Sequence, residues 1–142
     1  MSIAVVILAA GKGTRMESDL PKALHKIGHA PLLAHAMQAA ASLDAEKTVV
    51  VVGHKAEAIA EAAKEIDAEV LIAHQDTQLG TAHAVTQARP ALEGFEGDIL
   101  VLYADTPFIS QQTMINIQNA RAEADLVILG FEARDPGHYG RL

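Results

Sequence analysis

The first strand-forming segment constrains the fold more than any other feature of this sequence. Ile3–Leu8 reads IAVVIL, an unbroken run of β-branched and aliphatic residues. Such a run is typical of a strand covered on both faces, as in a parallel sheet. Similar runs of strand length follow at Thr48–Val52, Val70–Ala73, Ile99–Tyr103 and Leu126–Leu129. The sequence therefore predicts five strands.

Alanine-rich segments with helical spacing lie between these strands. The apolar positions of the first form a stripe made of Leu33, Ala36, Met37 and Ala40, and those of the second a stripe made of Ala56, Ile59, Ala63 and Ile66. A third helix is predicted to start near Thr81 and to end before Pro90, and Ser110 is placed to cap a fourth. This alternation predicts an α/β fold: a doubly wound, Rossmann-like, mostly parallel sheet with helices on both faces.

Length and composition exclude several classes of protein. A chain of 142 residues without a linker or an internal repeat is about the size of one domain. The net charge of -7 argues against a nucleic-acid or membrane-surface binder, which needs a basic face. There is no cysteine, so disulfides and thiolate metal sites are excluded, and the apolar run near the start is too short to span a membrane. We therefore expect a cytoplasmic protein with neither nucleic-acid nor membrane partners.

The loop after the first strand, LAAGKGTRMESDLPK, combines glycines with basic side chains. Gly11 and Gly13 allow close backbone approach, and Arg15 and Lys22 offer cations to phosphate oxygens. The dinucleotide fingerprint fails because Met16 occupies the third glycine position, and the P-loop pattern fails because Gly13 interrupts it. The loop is predicted to bind phosphate, with a solvated basic turn as the alternative.

An aspartate follows the fourth strand in the segment LYADTP. In the commonest doubly wound strand order the first and fourth strands are neighbours, so Asp105 is expected to face the basic loop. A carboxylate there could hold Mg²⁺ shared with substrate phosphates. The alternative is a turn aspartate that caps its own backbone ahead of Pro107.

A polar loop, HQDTQLGTAHA, follows the third strand. The amides of Gln75 and Gln78 can donate and accept hydrogen bonds at once, as the edge of a nucleobase requires. Gly80 would let a base lie against the backbone, and Thr81 lies at a helix start. The alternative is an ordinary loop in which Thr81 or Asp76 simply caps the helix.

Two histidines, His25 and His29, have the i, i+4 spacing of a helical zinc pair. Because Pro21, Gly28 and Pro31 crowd that segment, a continuous helix is not expected there, and we predict no zinc site.

Together, LAAGKGTRM, the following PK, QLGTAHA, LYADTP and the terminal YGRL resemble the uridylyltransferase domain of the bacterial bifunctional GlmU family. The resemblance covers essentially the whole chain. It implies a Mg²⁺-dependent transfer of UMP from UTP to N-acetylglucosamine 1-phosphate. The implied products are UDP-N-acetylglucosamine, a precursor for peptidoglycan and lipopolysaccharide synthesis, and pyrophosphate.

The resemblance also implies roles for individual residues. Those at the nucleotide would be Leu8, Ala9, Ala10, Gly11, Tyr103 and Ala104. Arg15 and Lys22 would make catalytic contacts to the phosphates, and Asp105 would be the Mg²⁺ ligand. Contacts near the uracil and the sugar would come from Gln75, Gly80 and Thr81, and Gly140 would contact the N-acetylglucosamine. Ala82 and Ala104 depart from the family, which often has glycine at both positions.

The family's domain continues past residue 142 and supplies further sugar contacts and a second metal ligand. Residues 1–142 are thus expected to be the amino-terminal part of a nucleotidyltransferase domain, with no second domain in this chain and little activity alone. The family's acetyltransferase region, which builds a homotrimer, would belong to the remainder. Alternatives are another sugar 1-phosphate nucleotidyltransferase and a nucleotide-binding module without chemistry; an NAD-dependent oxidoreductase is disfavoured by Met16.

Overall fold

The computed structural model describes residues 2–13 and 16–140. They fall into two compact units, one running through Ile109 and the other starting at Ser110. The first unit holds every strand in the described residues, and the second holds one helix.

The elements are named here in chain order. The strands are β1 (Ile3–Leu8), β2 (Lys26–Ile27), β3 (Ala30–Pro31), β4 (Lys47–Val52), β5 (Leu71–His74) and β6 (Asp98–Tyr103). The helices are α1 (Leu32–Ala41), α2 (Ala56–Ile66), α3 (Thr81–Gln87) and α4 (Gln111–Arg121), with short 3₁₀ turns at Lys22–Leu24 and Pro90–Leu92.

The main sheet has four parallel strands in the order β5-β4-β1-β6. β1 pairs with β4 on one side and with β6 on the other, with Leu8 opposite both Val51 and Tyr103. The chain builds outward from β1 to β4 and β5 and then returns to the far side of β1 as β6. The strand order therefore reverses between β1 and β6, as predicted, and ligand sites of such sheets lie beyond the strand ends at this point.

The core lies on the two central strands. Val5, Val6 and Ile7 of β1 and all four valines of Val49–Val52 in β4 are fully buried, which fits their continuous apolar sequence. The predicted stripe of α1 is buried in full. In α2 only Ile59 and Ala63 are buried, and Ile66 is exposed at the end of the helix. The prediction for α2 thus holds for the middle of the stripe.

The predicted fifth strand is wrong. Leu126–Leu129 forms no strand, and Leu126, Ile128 and Leu129 are 73%, 59% and 53% exposed. A β-branched run makes a strand only where a neighbouring backbone accepts its hydrogen bonds, and no such ladder reaches this segment within the described residues. Hydrophobic pattern alone could not reveal the missing partner.

The segment around the two histidines forms a small antiparallel pair, β2 with β3, in place of a helix. Its turn passes through Gly28, whose φ is 63°. The prediction that no continuous helix joins His25 to His29 is therefore confirmed, although the hairpin itself was not predicted.

The second unit begins with the helix cap that the sequence predicted. The Oγ atom of Ser110 accepts a hydrogen bond from the Thr113 backbone N–H at 3.1 Å, which satisfies one of the free donors in the first turn of α4.

No helix among the described residues has both the length and the apolar character needed to cross a membrane.

Candidate functional site

An open cavity of about 250 Å³ lies at the carboxyl ends of β1, β5 and β6. Because the strands are parallel, the loops that leave them emerge at the same sheet edge. All of the lining residues belong to the first unit. This cavity is called the cleft below.

The first wall of the cleft is the loop after β1, and it contains the predicted residues Leu8, Ala9, Ala10, Gly11 and Lys22. The Ala9 N–H donates to the Val51 carbonyl at 2.9 Å, so sheet pairing with β4 continues into the loop. Ala9 and Ala10 are buried and have small side chains. Backbone rather than side chain therefore makes up much of this wall.

Gly13 allows the loop to fold back onto Lys22. Its φ is 58°, and a Cβ placed on it would lie 2.9 Å from the Cβ of Lys22. A side chain would be strained at this φ and would displace Lys22. Gly13 therefore helps to set the position of Lys22, whose ammonium group is predicted to bind phosphate.

The second wall follows β6 and contains the predicted residues Tyr103, Ala104 and Asp105. The Ala104 N–H donates to the Leu8 carbonyl at 3.0 Å, which ties this wall to the first. Ala104 is buried, whereas Tyr103 and Asp105 are partly exposed.

An ion pair crosses the cleft between these walls. The Lys22 Nζ lies 2.6 Å from the Asp105 Oδ2, and the two side chains are 42% and 35% exposed. The expectation that Asp105 faces the basic loop is confirmed. The geometry places one cation and one carboxylate within reach of the same ligand.

The third wall follows β5 and contains the predicted residues Gln75, Gly80 and Thr81. Gly80 has φ 100° and ψ -178°, a conformation that favours glycine, and it precedes the first residue of α3. No side chain caps this helix, so the alternative that Thr81 or Asp76 acts as an ordinary cap is wrong.

Two glutamine amides hold the third wall in place. The Gln78 Nε2 donates to the Ala10 carbonyl at 2.6 Å and so joins the third wall to the first. The Gln75 Nε2 donates to the Gly80 carbonyl at 3.1 Å and lies 3.0 Å from the His83 Nδ1. Gln78, Ala23 and Ala84 also line the cleft, although only Gln78 was considered for a ligand contact from sequence.

Gly53, which follows β4, is a supporting residue that sequence reasoning missed. A Cβ placed on it would lie 3.0 Å from both the Cβ and the carbonyl oxygen of Ala10, and 3.2 Å from the carbonyl oxygen of Gln75. The close approach of the first and third walls behind the cleft thus depends on glycine at this position. The sequence does hint at this role, because Gly53 directly follows a run of valines, and a glycine at such a position often marks close backbone approach.

Two predicted site residues cannot be located in the cleft. Arg15 lies outside the described residues. Gly140 belongs to the second unit.

The cleft offers a limited set of metal ligands. Asp105 is the only carboxylate in its described lining. Among residues 2–13 and 16–140, no group of three or more His, Cys, Asp or Glu side chains could hold a metal ion. A single carboxylate such as Asp105 is a ligand that a divalent cation can share with water and substrate oxygens.

The sequence is similar along its whole length to curated bacterial proteins. The bifunctional protein GlmU of Ruegeria sp. (strain TM1040) is 63% identical over 142 residues, which is 100% of this chain and 32% of that protein. The bifunctional protein GlmU of Paracoccus denitrificans (strain Pd 1222) is 56% identical over 140 residues, 99% of this chain and 31% of that protein. The chain thus spans about a third of the length of these relatives.

Solved structures share the fold at low sequence identity. A nucleotidyl transferase from Methanothermobacter thermautotrophicus has a TM-score of 0.70 and 23% identity, with 83% of this chain and 57% of that chain covered. A Mycobacterium tuberculosis H37Rv protein in complex with manganese has a TM-score of 0.69 and 19% identity, covering 87% and 61%. A UDP-glucose pyrophosphorylase complexed with UDP-glucose has a TM-score of 0.65 and 22% identity, covering 85% and 55%.

A domain family accounts for nearly all of the chain. Residues 5–140 match the MobA-like NTP transferase domain. This match includes all three walls of the cleft. The chain therefore belongs to the MobA-like NTP transferase domain family.

Proposed function

We propose that the cleft binds a uridine nucleotide, and that the full-length protein carrying this chain transfers UMP from UTP to N-acetylglucosamine 1-phosphate. Residues 1–142 would form the amino-terminal part of that nucleotidyltransferase domain. The observation that carries the proposal is the meeting of Lys22 and Asp105 beside glycine-rich backbone at the switch point of the sheet. The similarity to GlmU proteins over the whole chain supports it.

The three walls suggest how the nucleotide lies. In the proposal, the phosphates contact the backbone around Gly11 and the Lys22 ammonium, while the base contacts the wall of Gln75 and Gly80. Leu8, Ala9, Ala10, Thr81, Tyr103 and Ala104 complete the nucleotide site. Arg15 is proposed as a second phosphate contact and Gly140 as a sugar contact, both on the resemblance to GlmU proteins.

The proposed reaction is an in-line displacement at the α-phosphorus of UTP. A phosphate oxygen of N-acetylglucosamine 1-phosphate forms the new bond to this phosphorus. The bond from the α-phosphorus to the bridging oxygen breaks, and pyrophosphate leaves with the electron pair. The protein supplies no covalent nucleophile; it holds the reactants close together and neutralises developing charge with Lys22 and Arg15.

A magnesium ion fits the donor set of the cleft. Mg²⁺ is commonly held by one or two carboxylates together with substrate phosphates and water, and Asp105 is placed to be such a carboxylate. The manganese complex among the structural neighbours supports a divalent cation in this fold. When bound, the ion would supply positive charge to the phosphates.

The test measures pyrophosphate release from UTP and N-acetylglucosamine 1-phosphate by the full-length protein with Mg²⁺. We expect release that requires both substrates, and a loss on the order of 10²- to 10³-fold in Arg15→Ala. No release by the wild type would refute uridylyl transfer, and near-normal release by Arg15→Ala would refute the assignment of that residue. The 142-residue chain alone is expected to be poorly active.

A second candidate is transfer to a different sugar 1-phosphate. The UDP-glucose pyrophosphorylase complex among the structural neighbours favours it, because the fold there accompanies another sugar. A panel of UTP, CTP, GTP and ATP against N-acetylglucosamine 1-phosphate and glucose 1-phosphate separates the candidates. Calorimetric binding of UDP-N-acetylglucosamine without any pyrophosphate release would identify a binding module instead.

The proposal also covers the oligomeric state of the full-length protein, its location in the cell and the use of its product. On the resemblance to GlmU proteins, the full-length protein would be a cytoplasmic homotrimer whose product enters peptidoglycan and lipopolysaccharide synthesis. Light scattering of the full-length protein measures the trimer directly.

A further inference from the structure

Gln75 stands out because its side chain is polar and buried at once. It is 4% exposed, yet it lines the cleft. Its Nε2 lies 3.1 Å from the Gly80 carbonyl oxygen and 3.0 Å from the His83 Nδ1. A carbonyl oxygen can only accept, so the amide group that faces Gly80 is the NH₂. Both of its hydrogens are therefore used, one on each neighbour.

The orientation of the NH₂ group determines where the amide oxygen points. Among the described residues, no donor reaches the Gln75 Oε1. The same residues contain no buried side-chain oxygen or nitrogen that lacks a partner. The Gln75 Oε1 is therefore not sealed in the protein, and it belongs to a side chain that lines the cleft.

His83, on α3, is the second neighbour that fixes this amide. Because the Gln75 NH₂ can only donate, the His83 Nδ1 is the acceptor of this hydrogen bond, which assigns the ring proton to Nε2. The Gln87 Nε2 lies 3.2 Å from the His83 Nε2, and a neutral imidazole cannot accept from both amides.

The two glutamines differ in their freedom to turn. Reversing the Gln75 amide would place Oε1 against two acceptors at once, the Gly80 carbonyl oxygen and the His83 Nδ1, so each of them contributes to its orientation. Gln87 is half-buried near the end of α3, and its Nε2 also lies 3.2 Å from the His83 carbonyl oxygen, so it has to move its side chain as well as turn its amide to accept from the Nε2–H. Gln87 then gives up its contact to the His83 carbonyl, which water can replace. With Gln87 moved in this way, the hydrogen bonds would run from Gln75 to His83 and from His83 to Gln87.

We propose that His83 is a positioning residue that selects the base by holding the Gln75 amide in one orientation. This inference rests on the proposed function. The edge of a uracil ring carries a single donor, N3–H, whereas the N3 atom of cytosine is an acceptor. A fixed acceptor at Gln75 would pair with uracil N3–H and oppose cytosine N3. An amide that could turn would accommodate either base.

The test compares two variants of nearly equal shape. His83→Asn places Oδ1 where the Nδ1 lies and keeps the acceptor, whereas His83→Leu places a methyl group there. The readout is the ratio of kcat/KM for UTP over CTP in the full-length protein. We expect His83→Asn to keep the wild-type ratio within about 2-fold and His83→Leu to lower it by roughly 3- to 10-fold, the weight of one neutral hydrogen bond.

Equal losses in the two variants, or an unchanged ratio in His83→Leu, would overturn the proposal. A second measurement does not depend on turnover. Long-range ¹⁵N–¹H spectra of the ¹⁵N-histidine-labelled protein, with His83→Asn assigning the signal, should show a neutral ring protonated on Nε2. A proton on Nδ1 would overturn the proposal even if UTP is the substrate. If the wild type does not use UTP, the proposed function fails, and the spectra still decide the amide orientation.

Discussion

Lys22 and Asp105 form an ion pair across the cleft that is expected to contribute little to stability. Both side chains are more than one third exposed, and exposed pairs contribute roughly 0 to 1 kcal/mol because water screens them. In the free cleft the two charges neutralise one another. A triphosphate with its cation can replace this single contact with two, the phosphates taking Lys22 and the cation taking Asp105.

Removing the cation should therefore damage the reaction far more than the fold. We expect Lys22→Met to change the free energy of unfolding by less than about 1 kcal/mol and to lower pyrophosphate release on the order of 10²- to 10³-fold. Lys26→Met, on exposed β2, is the matched control and should leave both quantities near wild type. A Lys22→Met variant with normal turnover would remove Lys22 from the proposed machinery.

Removing the carboxylate charge should act through the cation. Asp105→Asn keeps the size of the side chain but loses the charge that a divalent ion requires, so turnover should fall on the order of 10²-fold or more at a fixed Mg²⁺ concentration. Part of the loss should be recovered as Mg²⁺ is raised, which a titration of initial rates would measure. Asp125→Asn, at an exposed position, serves as the control. A Mg²⁺ dependence identical to wild type would contradict the assignment of Asp105 as a metal ligand.

At the scale of secondary-structure elements, the sequence predicted those strands that are themselves apolar runs of strand length. The bounds of β1 agree to the residue, and those of β4 and β6 within one residue, because each contains an unbroken apolar run of strand length. β2 and β3 have two residues each and no periodicity to detect. Leu126–Leu129 has the composition of a strand without the ladder, and the ladder depends on residues distant in sequence.

The contact behind the cleft, where β4 ends, predicts a stability effect. Gly53→Ala would place a methyl group 3.0 Å from Ala10 and 3.2 Å from the Gln75 carbonyl oxygen. Overpacking of this kind costs about 1 to 3 kcal/mol, which urea unfolding would measure. The first and third walls should also separate, so nucleotide affinity should fall. Gly11→Ala, with open space around the new Cβ, is the stability control and should lie within about 0.5 kcal/mol of wild type. Equal stability of the two variants would contradict the packing argument.

The start of α4 predicts a smaller effect in the second unit. Ser110→Ala removes the oxygen that accepts from the Thr113 N–H and should cost about 1 kcal/mol of local stability. Ser110→Asp keeps an acceptor and should restore most of this loss. Hydrogen exchange of the first turn of α4 would report it, and equal protection in the alanine and aspartate variants would argue against the cap.

For the molecule as a whole, the location of the cleft followed from topology, whereas the contacts that hold it together did not. Parallel strands and a reversal of strand order bring the loops after β1, β5 and β6 to one edge, and the sequence pattern predicted both. The bond from Gln78 to the Ala10 carbonyl joins residues 68 positions apart. Such a contact depends on how far each of the two loops extends beyond the sheet edge, and no local sequence pattern encodes that distance.

Because one ligand would contact all three walls, nucleotide binding should stabilise the protein as a unit. A ligand present at 100 times its Kd that binds only the folded state adds about 2.7 kcal/mol to the free energy of unfolding. We expect UDP-N-acetylglucosamine with Mg²⁺ to raise the Tm of the full-length protein, with NADH as a control that leaves it unchanged. Lys22→Met and Gly53→Ala should both show a smaller shift at the same concentration, since each weakens a different wall of the same site. A wild-type Tm shift in both variants would mean that the ligand binds away from the cleft. In that case neither the charge of Lys22 nor the packing at Gly53 would contribute to its affinity.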